Sequence, residues 1–334
     1  MTDFSISRAN RASRIAGGVA LLVLGVLIAA PWWASSSFLH LAGEFAVYLA
    51  LATLWNLLAG YAGLVSVGQQ AYVGLGGYLA FSAALFLGIH PLLAVPLAGV
   101  VAAIIAIPVA SLVFRLQGAY FAIGSWVIAE VFRLIAAQAT VLGGGSGISL
   151  PVHVTKALGG KWLREASIFW LALALSAGCL ALVYGLLRSR IGLALTAIRD
   201  SEIAAASLGI RIHRVKHLVY IVTAGLTAMI GGLISLQKLR VSPDASFSVN
   251  DWTAFVIFIV VIGGIGTIEG PIIGTLIYFL LREFLADYGT LYLLFLGALA
   301  IGVMLTAPRG LWGYVQARFG WSLFPVGYRI RMKD

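Results

Sequence analysis

Apolar residues run through this chain in blocks of about twenty, separated by short clusters of glycine, proline, charged or aromatic side chains. As an α-helix rising about 1.5 Å per residue, a block of that length crosses a hydrocarbon core of about 30 Å. The pattern predicts ten spans, near 15–31, 38–59, 64–88, 91–114, 118–139, 168–187, 217–237, 252–268, 271–286 and 290–307. The expected fold is therefore all-α and polytopic, with an N-terminal segment 1–14, a membrane domain 15–307 and a C-terminal tail 308–334. The longest polar gaps are 140–167 and 188–216. One stretch stays open: Gly263, Gly264, Gly266, Gly270 and Pro271 interrupt 252–286, which is either two spans or a broken, re-entrant helix.

Composition excludes a soluble protein. Hydrophobic residues make up 61% and charged residues 10%, so a water-exposed surface would carry large apolar patches. Arg8, Arg11 and Arg14 ahead of 15–30 look like a signal peptide, with Ala34-Ser35-Ser36 as a cleavage candidate. Further spans follow at once, which favours a retained signal anchor with Trp32 and Trp33 in the outer aromatic belt.

The net charge of +10 needs no nucleic-acid partner, because it lies in the loops. With the N-terminus inside, fifteen of the 22 Lys and Arg fall on the cytoplasmic side, including Arg115, the 188–216 segment and the tail from Arg309 to Lys333. Lys156, Lys161, Arg164, Lys238 and Arg240 fall outside, the bias expected of membrane proteins, and both termini are cytoplasmic. The single cysteine, Cys179, excludes a disulfide framework.

Polar residues inside spans are candidates for chemistry. Ser66, Gln69 and Gln70 stand at i, i+3, i+4, on one face of a helical third span, with Tyr72 and Asn56 nearby. They serve either interhelical hydrogen bonds or a polar pathway through the bundle. Glu130 and Arg133, at i, i+3, are either a self-neutralised pair or part of a route for a zwitterionic solute. His40, His90 and His153 are scattered, and no metal site is expected.

Catalytic and nucleotide-binding patterns are missing. No G-x-x-x-x-G-K-[ST], H-E-x-x-H or G-x-S-x-G occurs, so no ATP site and no cofactor are expected on this chain. Against that background the segment RSRIGLALTAIRDSEIAAASLGIRIHRVK (188–216) stands out. Arg188, Arg190, Arg199, Asp200, Glu202, Arg211, Arg214 and Lys216 give a folded cytoplasmic element far larger than a connection needs. Ala204, Ala205, Ala206 and Gly209 leave a narrow helix face ending in a turn, and the charges form its rim. The element either docks a partner that supplies energy or lies on the membrane surface.

Four stretches, in order, carry a family resemblance: NLLAGYAGLVSVGQQAYVGLGGYLA (56–80), RLQGAYFAIGSWVIAEVFR (115–133), ALTAIRDSEIAAASLGI (194–210) and VIGGIGTIEGPIIGTLI (261–277). Together they resemble the LivM-type permeases of bacterial ABC importers for branched-chain amino acids. Ala204, Ala205 and Gly209 match the A-A-x-x-x-G spacing of the importer coupling motif; Ile203 stands where that motif has Glu, and Glu202 lies one position earlier. The resemblance implies a type II ABC-importer-like permease in the bacterial cytoplasmic (inner) membrane. Its implied partners are a homologous second permease, two ATPase subunits carrying ATP and Mg, and a periplasmic or extracellular solute-binding protein. Permeases of this kind also serve urea, short amides and other small polar metabolites. The alternative of another class is a stand-alone secondary transporter or channel, for which paired internal repeats are not evident.

Overall fold

The computed structural model describes residues 4–7, 11–285, 288, 291–307, 309–319, 323–325 and 329–332. Arg8 and Lys333, both counted above toward orientation, lie outside the described residues. The principal helices are α1 (Arg11–Ile28), α2 (Ser36–Asn56), α3 (Gln69–Phe86), α4 (Pro91–Val113), α5 (Ala119–Gln138) and α6 (Lys161–Leu187). They continue with α7 (Arg190–Asp200), α8 (Glu202–Ser207), α9 (Ile212–Lys238), α10 (Phe255–Gly263), α11 (Glu269–Leu285), α12 (Leu291–Thr306) and α13 (Gly310–Phe319). Among the described residues seven helical segments are long and apolar enough to cross a membrane: Ser36–Tyr61, Pro91–Val113, Ala119–Gln138, Lys161–Leu187, Ile212–Lys238, Pro243–Gly263 and Leu293–Phe319. The chain is a multi-pass membrane protein. Each predicted span coincides with a helix, but α1, α3 and α11, at 18, 18 and 17 residues, fall outside that set of seven.

Small residues set the packing. In lipid there is little hydrophobic drive between helices, so close backbone approach and interhelical hydrogen bonds take its place. The tightest group is α3, α4 and α9. A Cβ at Gly76 would collide with the carbonyl of Ala228, and one at Gly231 with the carbonyl of Val73. Central α2 buries Leu51, Leu54 and Trp55 completely or nearly so, between α6, α10 and α11. By contrast, α1 exposes Leu21, Leu22 and Val23, as a lipid-facing helix would.

Three sequence expectations need correction. The third span begins at Gln69 rather than 64, because residues 64–68 are non-helical. The sixth begins at Lys161 rather than 168, so the outer loop is shorter than 140–167, and the part that remains is ordered by a short helix, Val152–Ala157. Nor is the chain purely α. Strand β1 (Phe4–Ser7) pairs antiparallel with the far end of the chain at Arg329–Met332, and Ile148–Ser149 pairs with Arg240–Val241.

The two ends of the bundle differ. At one end Trp32 packs against Trp162 and Trp170, whose indoles donate to the carbonyls of Pro31 (3.0 Å) and Ile28 (2.9 Å). The Ile148–Ser149 pairing and Asp244, which Arg133 of α5 reaches at 2.8 Å, lie beyond the ends of α5 and α9 on that side. At the other end meet residues 57–68, the 188–216 segment, residues 264–268 and the start of α13.

Candidate functional site

Two helix breaks face each other at the end of the bundle that carries the 188–216 segment. The first follows α2, which widens into a π turn at Leu57–Tyr61 and stops at Gly63, whose φ of +69° suits glycine. The non-helical backbone beyond it is satisfied from several directions. Leu64 N–H donates to Leu58 O (2.8 Å), the Trp55 indole to Ser66 O (2.8 Å), and Val67 N–H to the Ser125 hydroxyl of α5 (3.0 Å). Non-helical backbone at membrane depth survives only under such protection.

The second break is 264–268, between α10 and α11. Here 252–286 proves to be two antiparallel helices: a Cβ at Gly263 would strike Gly270, and one at Gly274 would strike Ile259. The Thr267 hydroxyl donates to Gly264 O (2.7 Å) and accepts from Gly270 N–H (3.0 Å), capping α11. Pro271 sits in the first turn of α11, where a missing N–H costs nothing. Buried Asn56 joins the breaks. Its amide donates to Thr267 O (2.7 Å) and its carbonyl accepts from Gly266 N–H (2.8 Å).

Behind the first break lies a polar cluster. Ser66, Gln69 and Tyr72 line a cavity of about 20 Å³ with Tyr220, Thr223 and Thr227 of α9. That is room on the order of one water molecule, so the arrangement is closed to a larger solute. The Tyr72 hydroxyl donates to that of Tyr220 (3.2 Å). Gln69 donates to Leu51 O (3.1 Å), and its Oε1 has no partner among the described residues. Gln70 points elsewhere, accepting from Thr253 at the start of α10's helical segment, with its Nε2 unpartnered among the described residues.

The helical face expected for Ser66, Gln69 and Gln70 therefore does not exist. Ser66 precedes the helix, and Ser66 and Gln69 share a cavity that excludes Gln70. Glu130 and Arg133 are not brought to this cluster. They pair at 2.6 Å near the opposite end of the bundle, and Asp244 completes the group at 2.8 Å. The hydrogen bond from Arg133 holds the Glu130 carboxylate on the partly exposed flank of α5 that also shows Ile123, Val127 and Leu134. Among the described residues no grouping of His, Cys, Asp or Glu could hold a metal.

The 188–216 segment is a helical hairpin laid against the bundle. Ser189 caps α7 by accepting from Ile191 N–H (3.1 Å), and Leu195 and Ile198 are buried beneath it. Ser201 breaks α7 from α8 and caps α8 through Ala204 N–H (3.2 Å). Gly209, at φ +78° in open space, ends α8. Ala205 is turned inward, so it is no part of an outward face, whereas Ala204 and Gly209 are exposed. Glu202 pairs with Lys216 and Asp200 with Arg199.

Sequence reasoning passed over several residues. Ile203 and Leu208 are 84% and 78% exposed on α8, which alanine spacing alone does not announce. Glu269 is buried and accepts from Leu323 and Phe324 N–H (2.9 and 2.8 Å), tying the tail to α11. Its signal was available: a carboxylate in the apolar context of 261–277.

A family model described as the permease component of the branched-chain amino acid transport system matches residues 37–304. The chain is 30% identical over 316 residues to the high-affinity branched-chain amino acid transport system permease protein LivM of Escherichia coli (strain K12), covering 88% of this chain and 73% of that one. The corresponding protein of Salmonella typhimurium is 29% identical over the same shares. A probable branched-chain amino acid transport permease protein LivM of Methanocaldococcus jannaschii is 25% identical over 278 residues, 73% of this chain and 80% of its own. No solved structure matches.

Proposed function

Since the chain belongs to the family of permease components of branched-chain amino acid transport systems, we propose that it forms half of the membrane pathway of an ATP-driven importer for leucine, isoleucine, valine or related amino acids. A homologous permease forms the other half, a solute-binding protein delivers substrate at the outer face of the cytoplasmic membrane, and two ATPase subunits dock on the inner face. The observation that carries the reading is the outer surface of α8, where Ile203 and Leu208 stand exposed beside a glycine turn. Large apolar side chains on a short, rigid, water-facing helix fit a groove on another protein.

Movement of the ATPase then has two routes inward. One runs through α7 to the helix breaks. The other runs along α9, which starts three residues after Gly209 and carries Tyr220 to its hydroxyl contact with Tyr72. Separating that pair and shifting the 62–68 segment opens the closed polar cluster to one side at a time, the requirement of alternating access. Hydroxyl and amide groups at Ser66, Gln69, Thr223 and Thr227 supply hydrogen bonds to a passing solute without trapping it.

A second substrate reading is favoured by one observation: none of the side chains lining that cluster is ionised. A neutral solute such as urea or a short amide needs no charged partner there, whereas a zwitterion needs its charges met elsewhere on the route.

The test is ATP-dependent uptake of labelled leucine set against urea, with co-purification of the ATPase as a second readout. Gly209→Arg is expected to leave membrane insertion intact and abolish uptake. Normal uptake by that variant removes the docking role, and transport by the chain alone in liposomes without ATP overturns the importer reading.

A further inference from the structure

By spacing, Arg199 belongs to the charged rim of the docking segment, and its side chain is 40% exposed, yet one edge of its guanidinium reaches inward. Nη1 donates to the carbonyl of Gly60 at 3.2 Å, while Nε and Nη2 are held by Asp200 Oδ1 at 3.1 and 3.0 Å. Gly60 lies in the π turn where the first break begins, and carbonyls at a helix end lack intrahelical donors. It is also the point of closest approach to the second break. A Cβ at Gly60 would lie 2.6 Å from Gly266 N and 2.5 Å from Asn56 Oδ1. A Cβ at Gly266 would lie 3.3 Å from Gly60 O and 3.5 Å from Arg199 Nη1. One guanidinium thus joins the Asp200 carboxylate of the docking segment to the first break, which Asn56 in turn bonds to the second.

We propose that Arg199 is a positioning residue that ties the docking segment to the first helix break, and through Asn56 to the second, transmitting its displacement to the polar cluster rather than contacting the ATPase. The proposal rests on the importer reading above. Its geometry asks for arginine. A planar fork can hold Asp200 with one edge and Gly60 with another, whereas a lysine ammonium is a point charge that satisfies one partner well. Asp200 fixes the plane, and the charge-assisted bond to a carbonyl is the strong kind.

The test uses the whole transporter, permeases with ATPases and binding protein, reconstituted in liposomes. Uptake and ATP hydrolysis are measured together for the unmodified complex, Arg199→Ala and Arg199→Lys. Arg199→Ala is expected to retain the ATPase and its hydrolysis while solute carried per ATP falls about tenfold or more, the weight of one hydrogen bond to a charged group. Arg199→Lys is expected to fall between the two. It carries the test if Arg199→Ala does not assemble, because it keeps the charge and most of the volume. An unchanged uptake-to-hydrolysis ratio in Arg199→Lys and Arg199→Ala overturns the proposal. Loss of the ATPase from a stable Arg199→Ala permease overturns it differently, making Arg199 a docking contact and leaving the importer reading intact. If the unmodified permease itself binds no ATPase, the importer reading fails first.

Discussion

Asn56 holds two helix breaks together with one side chain, so removing its amide tests whether they form a single mechanical unit. In Asn56→Ala two hydrogen bonds disappear, those at 2.7 Å to Thr267 O and 2.8 Å from Gly266 N–H. If each is worth about 0.6 kcal/mol, as interhelical bonds in membrane proteins average, the loss is about 1 kcal/mol. If the two orphaned backbone groups stay dry, each costs about 1–3 kcal/mol and the loss approaches about 5. Asn56 is 2% exposed and Gly60 packs directly on Gly266, so water has little access and the upper half of that range applies. At about 2–4 °C per kcal/mol the melting temperature in detergent should drop by roughly 6–20 °C. The chain supplies its own probe: Cys179, its single cysteine, is buried and becomes reactive to a thiol dye only on unfolding. Asn56→Asp separates the two bonds, keeping the acceptor for Gly266 and losing the donor to Thr267. A melting temperature within 1 °C of the parent, with normal uptake, refutes the joint.

Four other substitutions probe packing and docking. Gly76→Leu should prevent a folded bundle, because its Cβ meets the Ala228 backbone, whereas Gly178→Leu faces open space and should be silent; gel filtration of solubilised protein distinguishes them, and equal behaviour disproves the small-residue packing of α3 on α9. Ile203→Glu and Leu208→Glu should leave the permease stable, since both side chains are exposed, yet each should weaken ATPase retention by about tenfold if it is an anchor. Unaltered retention on a titrated pull-down would move the docking site elsewhere.

Hydropathy made the helices legible because lipid demands long apolar runs, and glycine and proline punctuation placed most of their ends. It failed at 64–68, where the sequence LVSVG is as apolar as a span but its backbone bonds go to Trp55, Leu58, Ser125 and the Ser66 hydroxyl instead of into a helical ladder. The first three partners lie on α2, its π turn and another helix, which no local pattern reports. The same failure split Gln70 from Ser66 and Gln69. The 188–216 segment was legible as an anomaly of charge, but the direction of each side chain was not: Ala205 is buried between exposed Ala204 and Ala206, and half-exposed Arg199 reaches back to the Gly60 carbonyl. Asn56 was recognisable as a polar residue within a span, while its bridge to residues more than 200 positions away came only from the fold.

The short ribbon between Phe4–Ser7 and Arg329–Met332 imposes a parity rule. Two hydrogen-bonded strands cannot sit on opposite sides of a bilayer, so everything between them must leave one compartment and come back. That demands an even number of crossings. Seven is odd, so if all seven long apolar segments among the described residues cross, the rule asks that an odd number of α1, α3 and α11 cross with them. Tethered ends also make the bundle a closed loop, in which tilting the helices near one terminus pulls on those near the other.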